Sequence, residues 1–216
     1  MKSIFIVFLL CSLSIEAQGV SIFDGEVQAI TKKYDTLWNH QKETIVFTGS
    51  SSIRLWKSLE TSFPGHQIVN SGFGGSQASD LLYHLDDLVI QYKPVKVFIY
   101  EGDNDIFSKK KPNQIISTFK NIIEKIRREK TSVKIILISA KPSISRWNLR
   151  GRYRRLNRKL ERLSQTDSFL EFVDVWNPML DGRKPKKHIF LEDGLHMNQK
   201  GYDLWNMAIE NLINVK

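Results

Sequence analysis

Short buried-strand patterns alternate with amphipathic helical patterns along this chain, and the alternation constrains the fold more than any other feature. Runs of β-branched and aromatic residues occupy 44–48, 67–70, 95–100, 133–139 and 169–175. After the first run, helical patterns take turns with them, at about 53–60, 78–92, 112–130, 149–164 and 198–214. A further helix is predicted at 24–39. Right-handed crossovers place successive helices on both faces of a parallel sheet. The sequence therefore predicts an α/β fold, a doubly wound, flavodoxin-like α/β/α sandwich of three layers with a five-stranded parallel sheet.

The amino terminus has the layout of a secretory signal peptide. Lys2 precedes an apolar run from Ile4 to about Leu13, and small and polar residues follow around Ala17. The run is shorter than the roughly 20 residues that a bilayer core requires, so cleavage is favoured over a stable membrane anchor. We expect a signal peptide at 1–17, one domain at 18–216, and a secreted or periplasmic protein. Cys11 is the only cysteine, so the mature chain has no disulfide.

The chain is basic, with a formal charge of +9 that loss of the leader leaves unchanged. Much of this charge lies at 145–163, where leucines recur at helical spacing and the arginines fall mainly on the opposite face. A solvated helix face is the favoured interpretation, because no row of aromatic side chains accompanies the arginines as in single-strand nucleic-acid binders. We therefore expect no nucleic-acid partner. The sequence does not indicate the oligomeric state.

Ligands of doubly wound sheets bind outside the carboxyl ends of the strands, so the loops there are searched for chemistry. The first such loop is Thr48-Gly49-Ser50-Ser51-Ser52, directly before a helix. A serine there would meet backbone N–H groups and a helix dipole that favour developing negative charge. Alone, the pattern is equally typical of a helix cap or of a phosphate-binding loop.

Two further loops bring backbone and side-chain donors. Residues 70–76 read Asn-Ser-Gly-Phe-Gly-Gly-Ser, and their glycines allow close approach of the backbone to a ligand. Residues 101–105 read Glu-Gly-Asp-Asn-Asp, an acidic turn that could bind a metal but has no histidine nearby in sequence. Asn104 is either a turn residue or an amide donor aimed into the site.

A carboxylate and an imidazole stand three residues apart before the last predicted helix, at Asp193 and His196. A serine hydroxyl becomes a good nucleophile when a neighbouring imidazole takes its proton and a carboxylate fixes the tautomer of that imidazole. Taken alone, the pair could equally be a surface histidine beside an aspartate. The coincidence of four such loops at one sheet edge favours serine catalysis.

These residues resemble the SGNH hydrolases, also called GDSL-like lipases and esterases, and are similar to the platelet-activating factor acetylhydrolase type. The likeness spans about 42–214. The family's nucleophile falls on Ser51, two residues after a glycine, its second-block glycine on Gly75 and its third-block asparagine on Asn104. Its aspartate and histidine fall on Asp193 and His196. The resemblance implies a catalytic triad and an oxyanion hole made of the backbone N–H groups of Ser51 and Gly75 and the Asn104 side chain.

One residue departs from the family pattern, since Ser50 stands where an aspartate is common between the glycine and the serine. We expect an effect on specificity rather than on activity. The expected function is hydrolysis of a short-acyl ester, such as an acetyl ester, of a carbohydrate or small molecule, with no cofactor and no metal. Trp56 and Trp147 could stack on sugars, although core positions are commoner for such residues. The alternative is a non-catalytic module that binds phosphate or glycan through the same loops.

Overall fold

A computed structural model describes residues 21–214, and its centre is a five-stranded, all-parallel sheet. The order across the sheet is β2-β1-β3-β4-β5. The strands are β1 (Thr44–Gly49), β2 (Gln67–Gly72), β3 (Lys96–Tyr100), β4 (Lys134–Ile138) and β5 (Leu170–Val173). The predicted doubly wound sheet is confirmed. The predicted signal peptide at 1–17 lies outside the described residues.

Helices cover both faces of this sheet. The described helices are α1 (Asp24–Leu37), α2 (Ser51–Arg54), α3 (Leu59–Ser62), α4 (Ala78–Tyr83), α5 (Leu85–Leu88), α6 (Asp103–Phe107), α7 (Pro112–Glu129), α8 (Arg150–Ser164) and α9 (Gln199–Asn214). Short 3₁₀ turns occupy Ile90–Tyr92, Trp147–Leu149 and Lys187–Ile189. None of the helices within residues 21–214 is long and apolar enough to cross a membrane.

The strand residues divide between two cores because successive side chains of a strand point to opposite faces. In β1, Val46 packs with α1, α4, α5, α7 and α8, while Ile45 and Phe47 pack with α2, α3 and α9. In β3, Val97 and Phe98 divide in the same way. The result is the expected three layers, and every strand ends its run at the same edge of the sheet.

Two predicted helices are interrupted in the structure. The pattern at 53–60 forms α2 and α3 with a break that turns Trp56 into the core, where it lies against Phe47 and Tyr202. The pattern at 78–92 forms α4, α5 and a 3₁₀ turn, with a break at His84, whose ring lies 3.1 Å from the Ser21 hydroxyl. In both segments tertiary packing overrides a continuous helical pattern.

Two elements lie where the sequence predicted none. The acidic turn at 101–105 belongs largely to α6, which begins immediately after Gly102. After β5, the strands β6 (Leu180–Asp181) and β7 (Lys184–Pro185) pair as a short antiparallel hairpin. Each is too short to produce a recognisable hydrophobic period.

Candidate active site

Ser51 lies in the sharp turn between β1 and α2, and its position depends on the glycine two residues earlier. Gly49 has a φ of +133°, and a Cβ at this position would overlap the carbonyl oxygen of Tyr100 in β3. Only glycine permits such an approach between the ends of the two strands. The Ser50 N–H donates to the same Tyr100 carbonyl at 3.1 Å. The turn is therefore held by backbone contacts, and half-buried Ser51 begins α2.

A chain of two side-chain hydrogen bonds joins Ser51 to His196 and His196 to Asp193. Nε2 of His196 lies 3.0 Å from Oγ of Ser51, and Nδ1 lies 2.5 Å from Oδ2 of Asp193. A carboxylate only accepts, so Nδ1 carries the proton and the lone pair of Nε2 faces the serine hydroxyl. The structure thus brings together three residues that are as much as 145 positions apart, in the order that nucleophilic serine chemistry uses.

Asp193 is held as a carboxylate by the backbone of its own loop. Its other oxygen, Oδ1, accepts the N–H groups of Leu195 at 2.8 Å and His196 at 2.9 Å. Partial burial would raise the pKa of Asp193, but these two hydrogen bonds and the His196 imidazole lower it to about 2. Gly194, with a φ of +61°, makes the tight turn that allows both backbone contacts. The carboxylate therefore stays charged through neutral and mildly acidic pH.

The second loop, which contains Gly75, is hydrogen-bonded to the nucleophile turn. The N–H of Phe73 donates to the Gly49 carbonyl at 2.8 Å, continuing the pairing of β1 with β2. Gly75 has a φ of +81° and is exposed. Nδ2 of Asn104 donates to the carbonyl of Ser76 at 2.8 Å. The loops of Ser51, Gly75 and Asn104 therefore form one connected group at the sheet edge.

The Asn104 side chain is held at both ends of its amide. Nδ2 uses one N–H on the Ser76 carbonyl, and Oδ1 accepts from the Arg146 guanidinium at 3.1 Å. The second N–H of Nδ2 is left for a ligand. Arg146 also lies over the ring of Phe107, with its Cζ 4.3 Å from the ring centroid. Sequence reasoning missed this residue, because nothing distinguished Arg146 from the other arginines of its segment.

Asp103 fixes Arg146 within a buried ionic cluster. Oδ1 of Asp103 accepts from Arg146 at 2.7 Å and from the Tyr153 hydroxyl at 2.8 Å. Oδ2 accepts from the Tyr100 hydroxyl at 3.1 Å and from Lys141 at 3.4 Å. Burial alone would raise the pKa of Asp103, but the positive charges of Lys141 and Arg146 hold it below its ordinary value. The cluster is therefore a charged, fully hydrogen-bonded support beneath Asn104.

Glu26 of α1 supports the second loop from the other side. Both of its carboxylate oxygens lie 3.1 Å from the N–H of Gly74, and Oε1 pairs with Arg54 at 3.2 Å. A Cβ at Gly74 would meet the Arg54 guanidinium, so a larger residue there would displace this flexible side chain from Glu26. Neither Glu26 nor Arg54 was predicted to matter, because each looks like an ordinary exposed charge in its helix.

The acidic residues of the third loop diverge rather than converge. Glu101 lies against the Ser76 hydroxyl, with Oε1 2.7 Å from Oγ, and burial raises its pKa well above the ordinary value. Asp103 faces Lys141 and Arg146, as described above. Asp105 accepts from the N–H of Ala78 at 3.0 Å. Among residues 21–214, no three histidine, cysteine or acidic side chains are grouped so that they could hold a metal ion.

Comparison with solved structures shows the same fold in bacterial hydrolases. A Streptococcus pneumonia protein provisionally named as a platelet activating factor is 24% identical, with a TM-score of 0.76, over 88% of this chain and 93% of that one. A GDSL-like lipase from Bacteroides thetaiotaomicron is 21% identical, with a TM-score of 0.70, over 85% and 96% of the two chains. A mutant of an acetyl-xylooligosaccharide esterase from Geobacillus Stearmophilus is 18% identical, with a TM-score of 0.66, over 81% and 95%.

Sequence comparison identifies the family. No curated protein matches the chain significantly. A family model, described as the GDSL-like Lipase/Acylhydrolase family, matches residues 40–204, which is more than half of the chain. The match includes the loops of Ser51, Gly75 and Asn104 and the loop of Asp193 and His196. It agrees with the resemblance to SGNH hydrolases seen in the motifs. The chain therefore belongs to the GDSL-like lipase/acylhydrolase family.

Proposed function

We propose that this acylhydrolase is a serine esterase that removes a short acyl group, such as acetyl, from a carbohydrate or small-molecule ester. The observation that carries the proposal is the pair of hydrogen bonds from Asp193 to His196 and from His196 to Ser51, at 2.5 and 3.0 Å. A phosphate- or glycan-binding module would have no use for an imidazole oriented by a carboxylate and aimed at a serine hydroxyl.

The reaction follows from these positions. Oγ of Ser51 attacks the ester carbonyl carbon while Nε2 of His196 takes the hydroxyl proton, and the charge of Asp193 stabilises the imidazolium that forms. The tetrahedral oxyanion is stabilised by the backbone N–H groups of Ser51 and Gly75 and by the free N–H of Asn104. Collapse of this tetrahedral intermediate breaks the bond between the acyl carbon and the alcohol oxygen, and the His196 imidazolium donates its proton to the leaving alcohol. The acyl group stays on Oγ of Ser51.

The second half of the reaction releases the acid. Water attacks the acyl group on Ser51 while His196 again accepts a proton. The same oxyanion donors stabilise the second tetrahedral intermediate, whose collapse restores the Ser51 hydroxyl by proton return from the imidazolium. The proposed steps need only the chain's own residues, the ester and water.

The acyl length and the alcohol are inferred from indirect support. One structural neighbour is named as an acetyl-xylooligosaccharide esterase, and no long apolar segment adjoins the four motif loops in the sequence. We further propose that residues 1–17 are cleaved and that the enzyme acts outside the cytoplasm. Sequencing of the mature amino terminus tests this proposal: a terminus close to residue 18 supports it, and an intact Met1 in the membrane fraction contradicts it.

Labelling with a fluorophosphonate probe separates an esterase from a binding module. We expect the wild type to be labelled and to hydrolyse p-nitrophenyl acetate, and Ser51→Ala to lose both properties. Ser50→Ala is the matched control, because Ser50 is buried and the described contacts of His196 do not include it. A panel of p-nitrophenyl esters of increasing chain length then tests the short-acyl preference. Full activity in Ser51→Ala would eliminate the mechanism.

A further inference from the structure

A cavity of about 530 Å³ lies beside the amino-terminal end of α8. Its walls come from the 3₁₀ turn at Trp147, the first turns of α8, residues Trp176 and Asn177 after β5, and the β6–β7 hairpin. These segments follow the carboxyl ends of β4 and β5. The cavity therefore opens at the same edge of the sheet as the candidate active site, which is where ligands of this fold bind.

Three guanidinium groups line this cavity without an acidic counterpart. They belong to Arg150, Arg154 and Arg183, and no residue of the lining is acidic. Within the described part of the chain, none of the three forms an ion pair with a carboxylate. Arg150 donates to the Trp147 carbonyl at 3.2 Å. Three unneutralised charges around one cavity favour an anionic ligand.

A neighbouring depression differs from this cavity in the charge of its lining. It measures about 300 Å³ and is lined by Arg154 and Arg158, but also by Glu161 and Asp174. Its two positive and two negative side chains balance. Of these two linings, only that of the larger cavity therefore has a net positive charge.

The cavity also has an aromatic wall. The indoles of Trp147 and Trp176 are stacked, with ring centroids 5.8 Å apart and planes inclined by 20°. Trp176 is buried and supports the half-buried Trp147 from behind. The Arg150 guanidinium lies over the Trp147 ring, 5.6 Å from its centroid. A rigid indole flanked by guanidinium groups suits a ring-shaped ligand that carries an anionic group, because the guanidinium fork binds carboxylate or sulfate in two-point contact.

One segment joins this cavity to the candidate catalytic residues. The N–H groups of Ile144 and Ser145 donate to the Gly194 carbonyl at 2.8 and 3.1 Å, inside the loop that carries Asp193 and His196. The next residue, Arg146, contacts Asn104, and Trp147 follows it. The backbone of residues 144–147 therefore runs from the candidate site directly to the cavity wall.

We propose that the cavity is a subsite for an acidic carbohydrate, a glycan bearing carboxylate or sulfate groups, which positions its acyl ester at Ser51. The inference rests on the proposed esterase function and names its substrate class. A nucleic acid fits less well, because the arginines surround a single cavity with one accessible indole, whereas single-stranded nucleic acids use an extended basic groove with several stacking platforms. A polysaccharide also carries the O-acyl esters that the proposed reaction needs.

The test compares a charged with a neutral polymer in matched variants. One variant carries Arg150→Gln, Arg154→Gln and Arg183→Gln. The control carries Arg155→Gln, Lys159→Gln and Arg162→Gln, which removes the same charge from the same region of the surface but spares the cavity lining. The substrates are O-acetylated polygalacturonate, O-acetylated neutral xylan and p-nitrophenyl acetate.

We expect the cavity variant to raise KM for acetylated polygalacturonate about tenfold or more with kcat unchanged, since each lost guanidinium contact is charge-assisted. KM for the neutral xylan and kcat/KM for p-nitrophenyl acetate should not change. The control variant should match the wild type on all three substrates. An equal rise of KM in both variants would mean general attraction by surface charge and would overturn the proposal, as would a wild type that does not favour the charged glycan.

Binding measurements keep this proposal separate from the proposed reaction. Calorimetry with Ser51→Ala and unacetylated polygalacturonate or dextran sulfate should show binding that the cavity variant loses, and the stronger of the two ligands identifies the anionic group. Binding here together with no hydrolysis of p-nitrophenyl acetate by the wild type would refute the esterase and keep the subsite. Failure of both glycans to bind, or tighter binding of a single-stranded RNA of equal charge, would overturn the subsite.

Discussion

Replacing Arg146 by glutamine tests whether the buried ionic cluster acts on catalysis through the Asn104 amide. The substitution removes one of the two hydrogen bonds that hold this amide, the 3.1 Å contact at Oδ1, and leaves the 2.8 Å contact of Nδ2 with Ser76. We expect kcat to fall about tenfold, the worth of one hydrogen bond of ~1.4 kcal/mol. Asn104→Ala removes the proposed oxyanion donor itself, and there kcat should fall by about 10²-fold to 10³-fold.

The same substitution also weakens the fold, and the loss has a predictable size. Asp103 is buried and loses the nearer of its two cationic partners, while Lys141 and two tyrosine hydroxyls still donate to it. Breaking a buried ion pair outright costs about 3–5 kcal/mol, so a partly compensated loss of about 2 kcal/mol is expected. For a chain of this length, Tm should fall by about 4–8 °C.

A double-mutant cycle separates the two effects. Initial rates with p-nitrophenyl acetate are measured well below Tm for Arg146→Gln, Asn104→Ala and the double variant, so that all three are folded. If Arg146 acts through Asn104, the double variant has the kcat of Asn104→Ala alone. A further tenfold loss in the double variant would show that Arg146 acts independently of the amide and would refute the reasoning.

Three other predictions concern the catalytic chain and its supports. Ser51→Ala, His196→Ala and their combination should lose nearly equal activity on p-nitrophenyl acetate, because nucleophile and base act as one unit; additive losses would contradict this. Glu26→Gln should lower kcat about fivefold, close to 1 kcal/mol for a weakened contact to the loop of Gly75, with a smaller change in Tm because its ion pair is partly exposed. The pKa of Asp193 lies at about 2, below its ordinary value, so its stabilising effect is complete above pH ~4 and is lost as pH falls through about 2. The Tm difference between the wild type and Asp193→Asn, measured by calorimetry against pH, should therefore stay constant above pH ~4 and shrink as the pH falls from there toward about 2.

The sheet and the loops at its carboxyl edge could be predicted from the sequence because both have short-range signals. Buried parallel strands appear as continuous apolar runs, and Ser51, Gly75 and Asn104 follow such strands within a few residues. Asp193 and His196 directly precede the amphipathic pattern of α9. The supporting contacts have no such signal. Glu26 contacts Gly74 across 48 positions, and no local pattern encodes a partner so far away.

In the basic segment at 145–163, too, the sequence predicted the element but not the contacts of its side chains. Its helical period predicted α8 and the buried leucine face, and the structure agrees. The pattern could not predict which contacts each arginine makes. Arg146 turns inward and binds Asp103, whereas Arg150 and Arg154 line a cavity. Position along a helix specifies direction around the axis, but the neighbours on that side come from the rest of the fold.

The hydrogen bond between Ser51 and His196 joins residues 145 positions apart in a chain of 216, so the proposed nucleophile is activated only when about two thirds of the chain has closed into one loop. An unfolded chain contains the same side chains without their arrangement, and a half-synthesised chain lacks the base altogether, because His196 lies in the last loop before α9. Ester hydrolysis would then measure completed folding rather than the amount of polypeptide. A refolding experiment followed by activity should consequently lag behind one followed by helix content, because helices form from local contacts and activity requires the contact between Ser51 and His196.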